Sequence, residues 1–562
     1  MVRSLVSLCA REVVRDHGSS PVWLSCVPRE LYRPLLEAAF DHCRPLAIGE
    51  LVQRWPERVL AVGGRRKPDQ CPPNRLCIQA LLLAVVRGLT DKRCCLQVLD
   101  LCDLHTEDGR LEESIGGWSL TVALCSMLLQ ARAATSRGQR RDWERERKRW
   151  RESEREGDGV VKRDRGTERE KHEAEGEKKA CGGEAYCQRE PGGLTPQDVM
   201  VRGVRRRMEL ERRSEGQQQN CDPDWQQAAV VRVRADLFIN ARSWERVRGA
   251  LSLPGPLRLH CRYLRVEELP AASIGALLAL LPRQGLLGLD VRYSSLGVAG
   301  LALLLPLLAP FPLLHTLRLH YCNLDLQRSQ PGQQEVLQDM SQGLALLTRL
   351  CRLSLTALRL PGHLRLLLSS LSQPLEVLEL PYLSLTPADL AYLSSSQHAS
   401  SLRELDLSEN RLDESSLPSL QRLLAQGEGR LTQLSLCGCS LSDGLLGALL
   451  PSLSRCRVLK SLRLALNPLS RAGVVRLACA AAGIPTLQLL LYPTPLEEYE
   501  PGLSPTPSSA QLLDWPLVEG SEVRELTLMQ LQEVLRLKDR SDDLLLTSDL
   551  LKYSTDLAVE DY

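Results

Sequence analysis

A spacing of leucines constrains this chain more than any other feature. The pattern L-x-x-L-x-L-x-x-(N/C/other)-x-L begins at Leu286, with Leu289, Val291, Ser294 and Leu296 in phase. It returns at Leu314 (Leu317, Leu319, Cys322, Leu324) and at Leu350 (Leu353, Leu355, Leu358, Leu360). Copies follow at Leu375 (Leu378, Leu380, Leu383, Leu385) and Leu402 (Leu405, Leu407, Asn410, Leu412). The last clear ones start at Leu431 (Leu434, Leu436, Cys439, Leu441) and Leu459 (Leu462, Leu464, Asn467, Leu469). Successive starts lie 28, 36, 25, 27, 29 and 28 residues apart, the long end of the leucine-rich repeat range.

The pattern has a direct physical reading. L-x-L is a short strand with two inward leucines, and the Asn or Cys after it hydrogen-bonds backbone where the chain leaves the strand. The remaining ~18 residues of each unit form a helix, as at Leu445–Leu450. Stacked units give an α/β horseshoe solenoid, with a parallel sheet inside and helices outside. Leu358 and Leu383 stand where the polar residue belongs, so those two turns must satisfy their backbone by other means. The 36-residue spacing contains polar, Pro/Gly-bearing sequence from Gln327 to Gln342, which reads as a loop insertion. A degenerate copy is expected at Ile484–Leu487.

Composition agrees. Only 3 Phe are present among 562 residues, so Leu supplies the packing volume that aromatic residues usually share. The 19 Cys are scattered and form no CxxC pair, which reads as reduced thiols packed as small hydrophobes and points to a cytoplasmic location. Arg11 and Glu12 interrupt the N-terminal apolar stretch before a signal-peptide core is complete. No run approaches the ~18 apolar residues of a membrane span. GxSxG, HExxH, Walker and GxGxxG motifs are all missing, so the chain reads as non-catalytic, with no cofactor and no metal site.

Outside the repeats the signal thins. Residues 1–60 read as a helical N-terminal module, and 61–135 as a helical region carrying a degenerate repeat strand at Leu96–Leu104. Residues 136–224 read as a charged, disordered insertion. Its segment 140–179 holds 15 Lys+Arg and 13 Asp+Glu and almost no aliphatic residues. The repeat domain spans 225–492, opening with a strand at Val230–Leu237 and a helix at Trp244–Leu251. A proline-punctuated connector and a capping helix at Val523–Leu537 fill 493–562. The net charge of +2 leaves no broad basic field, so nucleic acid is an unlikely partner for the folded part. The alternative is an RNA-associated scaffold acting through the Arg/Glu-rich insertion and its tryptophans, weak and salt-sensitive because the segment is nearly neutral.

Two motifs carry candidate binding chemistry. Near the N-terminus, Ser4, Leu5, Cys9 and Val13 combine an N-cap with an i, i+4, i+8 stripe. This fits the elongin-binding box of cullin ligase receptors, in which a leucine enters a pocket and a small cysteine lets the helix approach. Val27, Pro28 and Leu31 resemble the short cullin-2 box that follows it. The second candidate is the concave face, where strand residues alternate with buried leucines. Asp290, Arg292, Arg318, His320 and Arg352, then Glu379, Glu404 and Asp406, then Arg463 are expected there, in the order basic, acidic, basic. Such a surface would select a protein of opposite pattern.

Several segments also resemble the melanoma-antigen (PRAME) leucine-rich repeat family. They are SLVSLCAREVV, VPRELYRPLLEAAF, ELVQRWP, LQVLDL, VRVRADLFIN, PLRLHCRYLRVEELP, LHTLRLHYCNL and SLRELDLSENRL. The likeness covers residues 1–130 and 225–562, and the charged insertion departs from it. The resemblance implies a non-catalytic protein-binding adaptor. One implied role is binding an IκB kinase subunit and dampening Toll-like-receptor NF-κB signalling. The other is a substrate receptor that recruits elongin B/C and cullin-2.

Overall fold

Each repeat contributes one short strand, and the strands stack in chain order. A computed structural model describes residues 5–15, 27–62, 74–90, 95–104, 119–134, 230–252, 255–324, 333–518, 520 and 522–550. The charged insertion 136–224 and Ser4 lie outside the described residues, apart from them and from a few short segments the chain is continuous. The strands are β1 (Val59–Ala61), β2 (Val98–Asp100), β3 (Val231–Asn240), β4 (Leu257–Glu267), β5 (Gly288–Arg292), β6 (Thr316–His320) and β7 (Arg352–Thr356). They continue as β8 (Val377–Glu379), β9 (Glu404–Asp406), β10 (Gln433–Ser435), β11 (Ser461–Arg463), β12 (Leu489–Leu491) and β13 (Leu545–Thr547). Every neighbouring pair is parallel, and the order is β1 through β13 without a crossover. The sheet therefore runs beyond the clear repeats at both ends, to Val59 and to Thr547.

Register explains why leucine dominates. Leu264, Leu289, Leu317, Leu353, Leu378, Leu405, Leu434, Leu462 and Leu490 pair across successive strands as one row, all buried. Each inward leucine meets a leucine above and below it and a helix behind it. A branched, rotamer-defined side chain of constant volume tiles such a column without gaps. The outer layer includes helices at Ala271–Leu280, Pro387–Ser395, Leu417–Gly427, Asp443–Leu453 and Arg471–Ala482. Trp244–Leu251 is helical, as its sequence predicts.

The polar position closes the turns as expected. Asn410 Nδ2 donates to the carbonyls of Leu380 (2.8 Å) and Leu407 (2.9 Å), and Oδ1 accepts from Leu385 N–H (3.1 Å). Asn467 repeats this two repeats later with Leu436, Leu464 and Leu441. Cys439 and Ser294 make the weaker versions that a thiol and a hydroxyl allow. In the turn at Leu358, Leu360 N–H donates to Leu383 C=O, and Asp389 of the helix Pro387–Ser395 reaches back to Gly362 N–H (2.8 Å) and Leu364 N–H (3.1 Å). The same carboxylate closes a capping box with Thr386.

One expectation is corrected. The stretch read as a loop insertion contains a helix at Gln333–Ala345. Leu337, Met340 and Leu344 recur at i, i+3 and i+7 and are buried, so a sparse apolar stripe outweighs the polar average.

Both ends are capped. At the N-terminus, α1 (Leu5–Arg15), α2 (Tyr32–Asp41), α3 (Pro45–Gln53) and α4 (Arg75–Thr90) pack together around Ile48, Leu51 and Leu81. At the C-terminus the helix Glu522–Leu537 buries Leu531 and Val534 against Arg471–Ala482. The nearly inaccessible Arg540 then donates to the carbonyls of Ile484 and Leu487 (both 2.6 Å) and pairs with Asp543 (2.8 Å). These carbonyls belong to the turn before β12, which the final helix–strand unit, Glu522–Leu537 and β13, covers through Arg540.

Asn410→Ala removes one acceptor and one two-handed donor from a buried site. Each buried backbone group left unpaired costs about 1–3 kcal/mol, so a urea melt of the variant should show a loss of roughly 3 kcal/mol. Because repeats share their core with neighbours, the loss should appear as one broadened transition across the solenoid, and an unchanged midpoint would contradict the role given to this side chain.

Candidate protein-binding surfaces

The α1 helix separates its residues into two faces. Ala10 and Val14 are buried against α2, while Leu5 (76% exposed), Val6, Leu8, Cys9 and Val13 (44% exposed) face solvent. The stripe read from the sequence, Leu5–Cys9–Val13, is thus turned away from the body of the protein. An apolar stripe of this density on an 11-residue helix is costly unless something covers it. The second box divides. Val27 leans on the core, whereas Pro28 and Leu31 are exposed at the short 3-10 turn Arg29–Leu31 that leads into α2.

On the concave face, register brings the predicted residues into rows. One row runs Arg265, Asp290, Arg318, Ser354, Glu379, Asp406, Ser435 and Arg463 across β4 to β11. A second runs Arg352, Val377 and Glu404 across β7 to β9. A third carries Glu267, Arg292 and His320. The face is therefore not one basic block followed by one acidic block. In its N-terminal half, acids and bases are interleaved and paired. Asp290 binds Arg292 through contacts of 2.7–3.0 Å, Glu267 pairs with Arg265, and Asp236 pairs with Arg262 (3.0 Å).

Arg262 is placed by a β-bulge. The register between β3 and β4 shifts between Ala235 and Leu237, which leaves Arg262 without a ladder partner. Its guanidinium turns to Asp236 and Asp103, while Asp236 also accepts from the N–H groups of Asp103 (2.9 Å) and Tyr263 (3.2 Å). One carboxylate thus ties the turn after β2 to β3 and β4.

The acidic centre differs. Among the described residues no ion pair or hydrogen bond satisfies the carboxylate of Glu379 or Glu404, and Asp406 accepts from Ser408 of its own turn, through its N–H (2.8 Å) and its side chain. Glu379 and Asp406 are cross-strand neighbours, at the ~4.8 Å strand spacing. Burial raises the Glu404 carboxyl above its ordinary range, opposed by Arg352 and reinforced by Glu379. Burial also raises Asp406, which the Ser408 hydrogen bonds oppose. Arg463, expected at this surface, stands in the row but is itself buried. His320 is held down to about 4 by burial, with Arg292 and Arg318 adding to the effect and Asp290 opposing it, so it is neutral at pH 7.

The rim of this face carries residues that sequence reasoning missed. Where the strands end, Tyr293, Tyr321, Ala357, Tyr382, Glu409, Gly438 and Leu466 adopt left-handed backbone, with φ of 50–63°. For tyrosine this conformation costs roughly 1–2 kcal/mol. The N–H groups recover part of it by extending the ladder, Tyr293 to His320 C=O (3.0 Å) and Tyr321 to Thr356 C=O (3.0 Å). Tyr293, Tyr321 and Tyr382 are about half exposed, and the first two stack at 5.3 Å. The missed signal was phase, since all three stand four residues after the central strand leucine.

Other chemistry is sparse. Among the described residues no group of three or more His, Cys, Asp or Glu is placed to hold a metal, and no helix is long and apolar enough to cross a membrane. The buried thiols of Cys125 and Cys322 are pushed up to about 12 by burial, so they pack rather than react.

A parallel sheet built one strand per repeat, with helices outside and capped ends, defines a leucine-rich repeat solenoid. Comparison with known proteins places it more narrowly. The PRAME N-terminal domain family matches residues 2–108 and the PRAME C-terminal domain family matches 257–504. Leucine-rich repeat-containing protein 14 of Xenopus laevis is 34% identical over 520 residues, 89% of each chain. The Bos taurus protein of that name is 32% identical over 94% of this chain and 95% of its own. PRAME family member 12 of Homo sapiens is 39% identical over 25% of this chain and 29% of its own. The chain belongs to the PRAME-related leucine-rich repeat family that includes leucine-rich repeat-containing protein 14.

The acidic centre gives a pH test. A carboxyl whose folded pKa lies above its unfolded value binds protons more tightly when folded, so its ionisation lowers stability as pH rises through the carboxylate range. Glu404→Gln should therefore melt above the parent at pH 7, and the gap should close as pH falls through that range. A gap that widens in acid would show that Glu404 is stabilised as the anion.

Proposed function

We propose that the protein is a non-catalytic, cytoplasmic adaptor that binds one partner through α1 and another through the concave face of the solenoid. The observation that carries the reading is the exposed stripe of α1. Leu5, Cys9 and Val13 face solvent on a helix whose opposite side is anchored by Ala10 and Val14. That arrangement suits docking of a helix into an apolar groove, with i, i+4 and i+8 side chains as anchors. With Pro28 and Leu31 exposed downstream, the reading that fits best is a substrate receptor that recruits elongin B/C through α1 and cullin-2 through the following turn. The solenoid then presents the protein to be ubiquitinated. Membership of a leucine-rich repeat family supports the general role of protein binding.

A second reading draws on the concave face. Its charged rows suit a specific protein ligand, and an IκB kinase subunit held there would be withdrawn from its complex, dampening Toll-like-receptor NF-κB signalling. The two readings use different surfaces and separate cleanly.

Leu5→Asp with Cys9→Phe alters only exposed positions, so the melting temperature should stay within about 2 °C of the parent, as surface changes do. Co-purification of elongin B/C should fall by at least ~100-fold, the loss expected when anchors worth ~2 kcal/mol or more each are removed. Repression of an NF-κB reporter should persist in this variant if the kinase reading holds. Equal recovery of elongin B/C by parent and variant, or none by the parent, would reduce α1 to a capping helix.

A further inference from the structure

At its centre the concave face holds carboxylates that make no direct ion pair among the described residues. In the N-terminal half, Asp236, Glu267 and Asp290 each hold an arginine. At β8 and β9, Glu379, Glu404 and Asp406 stand together with no direct ion pair among the described residues, although Arg352, Arg318 and Arg463 act on Glu404 from farther off. Like charges opposed across neighbouring strands are destabilising, and Glu404 and Asp406 are desolvated as well. Beside them on the same row, Ser354 is 2% exposed and its Oγ has no hydrogen-bond partner. An unpaired hydroxyl in a native interior is rare and calls for a cause. A group that supplied donors to both the carboxylates and this hydroxyl would resolve the whole cluster.

We propose that β7 to β9 form the receiving site for an arginine side chain of a protein partner, seated between Ser354 and the Glu379, Glu404 and Asp406 carboxylates. The proposal deepens, and rests on, the reading of the concave face as a docking surface. Three features select arginine. A guanidinium has five donors in a planar fork, enough to meet more than one carboxylate and the hydroxyl oxygen at once. Exposed Tyr321 and Tyr382 flank this part of the rim and offer ring faces to a planar cation, which an ammonium uses less well. The directly paired rows on β4 to β6 leave this centre as the part of the described face whose carboxylates lack a direct ion pair, so a partner's guanidinium sets its register here.

The full-length protein is panned against a randomised 12-residue peptide library displayed on phage, with the Glu379→Gln/Glu404→Gln variant as counter-target. These changes relieve repulsion, so the variant should remain folded, and its melt is checked first. Recovered peptides should share an arginine at one fixed position and bind the parent at least ~10-fold more tightly than the variant, since a charge pair is lost. Replacing that arginine by lysine should forfeit part of the difference. Peptides without a common arginine, peptides that bind parent and variant equally, or an empty selection would overturn the proposal. Peptides that ignore the Gln pair yet are lost on Arg292→Glu/Arg352→Glu would sink this site while leaving concave docking intact. Peptides indifferent to both pairs would sink both.

Discussion

A parallel solenoid of this kind depends on closing the chain where each strand ends. The inward leucine row supplies most of the favourable burial, but leucines alone would also bury backbone N–H and C=O groups at every exit from the sheet. Those groups cost about as much to leave unpaired as a leucine returns. Asn410 and Asn467 answer this by spanning from one repeat to the next, accepting from one turn and donating to two carbonyls. The amide therefore acts as part of the stacking interface and not only as a local turn residue. Repeats that lack it borrow from elsewhere: the turn at Leu358 uses Asp389, and the turn at Leu383 uses Asn410 of the next repeat through Leu385 N–H.

The same logic organises the ends. A terminal repeat has one uncovered face, and its carbonyls face the least protein. At the C-terminus Arg540 brings several donors to the carbonyls of the turn before β12 in a nearly inaccessible position, with Asp543 balancing its charge. At the N-terminus a cluster of helices covers the first strands with apolar surface. That cluster is where α1 keeps its second, uncovered stripe. A cap needs only one apolar face, so a cap helix with two has surface beyond its structural requirement.

Most of the fold was legible because its determinants recur. Seven in-phase leucine patterns specify strand, turn and helix, and the register of the rows follows from stacking identical units. The helix at Gln333–Ala345 was obscured because three buried apolar residues in thirteen are a weak signal against polar neighbours. The order of charge on the concave face was only partly legible. Sequence spacing identifies which residues face outward, but pairing depends on register between strands about 25–36 residues apart. Asp290, read with its basic neighbours, proves to be their partner. Arg463 shows the converse, since a row position says nothing about how deeply the curvature of the face covers it.

The tyrosine rim was not legible from propensity, because tyrosine is among the last residues that a left-handed turn would be assigned. Its cause lies in the solenoid. From β4 to β11 each strand bends out of the sheet at the same height for the next helix to pack, and that bend takes positive φ whatever residue occupies it. Glycine would meet the demand without strain, and one repeat uses it at Gly438. Three others hold a large aromatic ring there, half exposed and with no core to fill. Strain accepted at a solvent-facing position contributes nothing to folding that glycine would not provide more cheaply. The gain must therefore come from what the rings present outward, close to carboxylates that make no direct ion pair among the described residues.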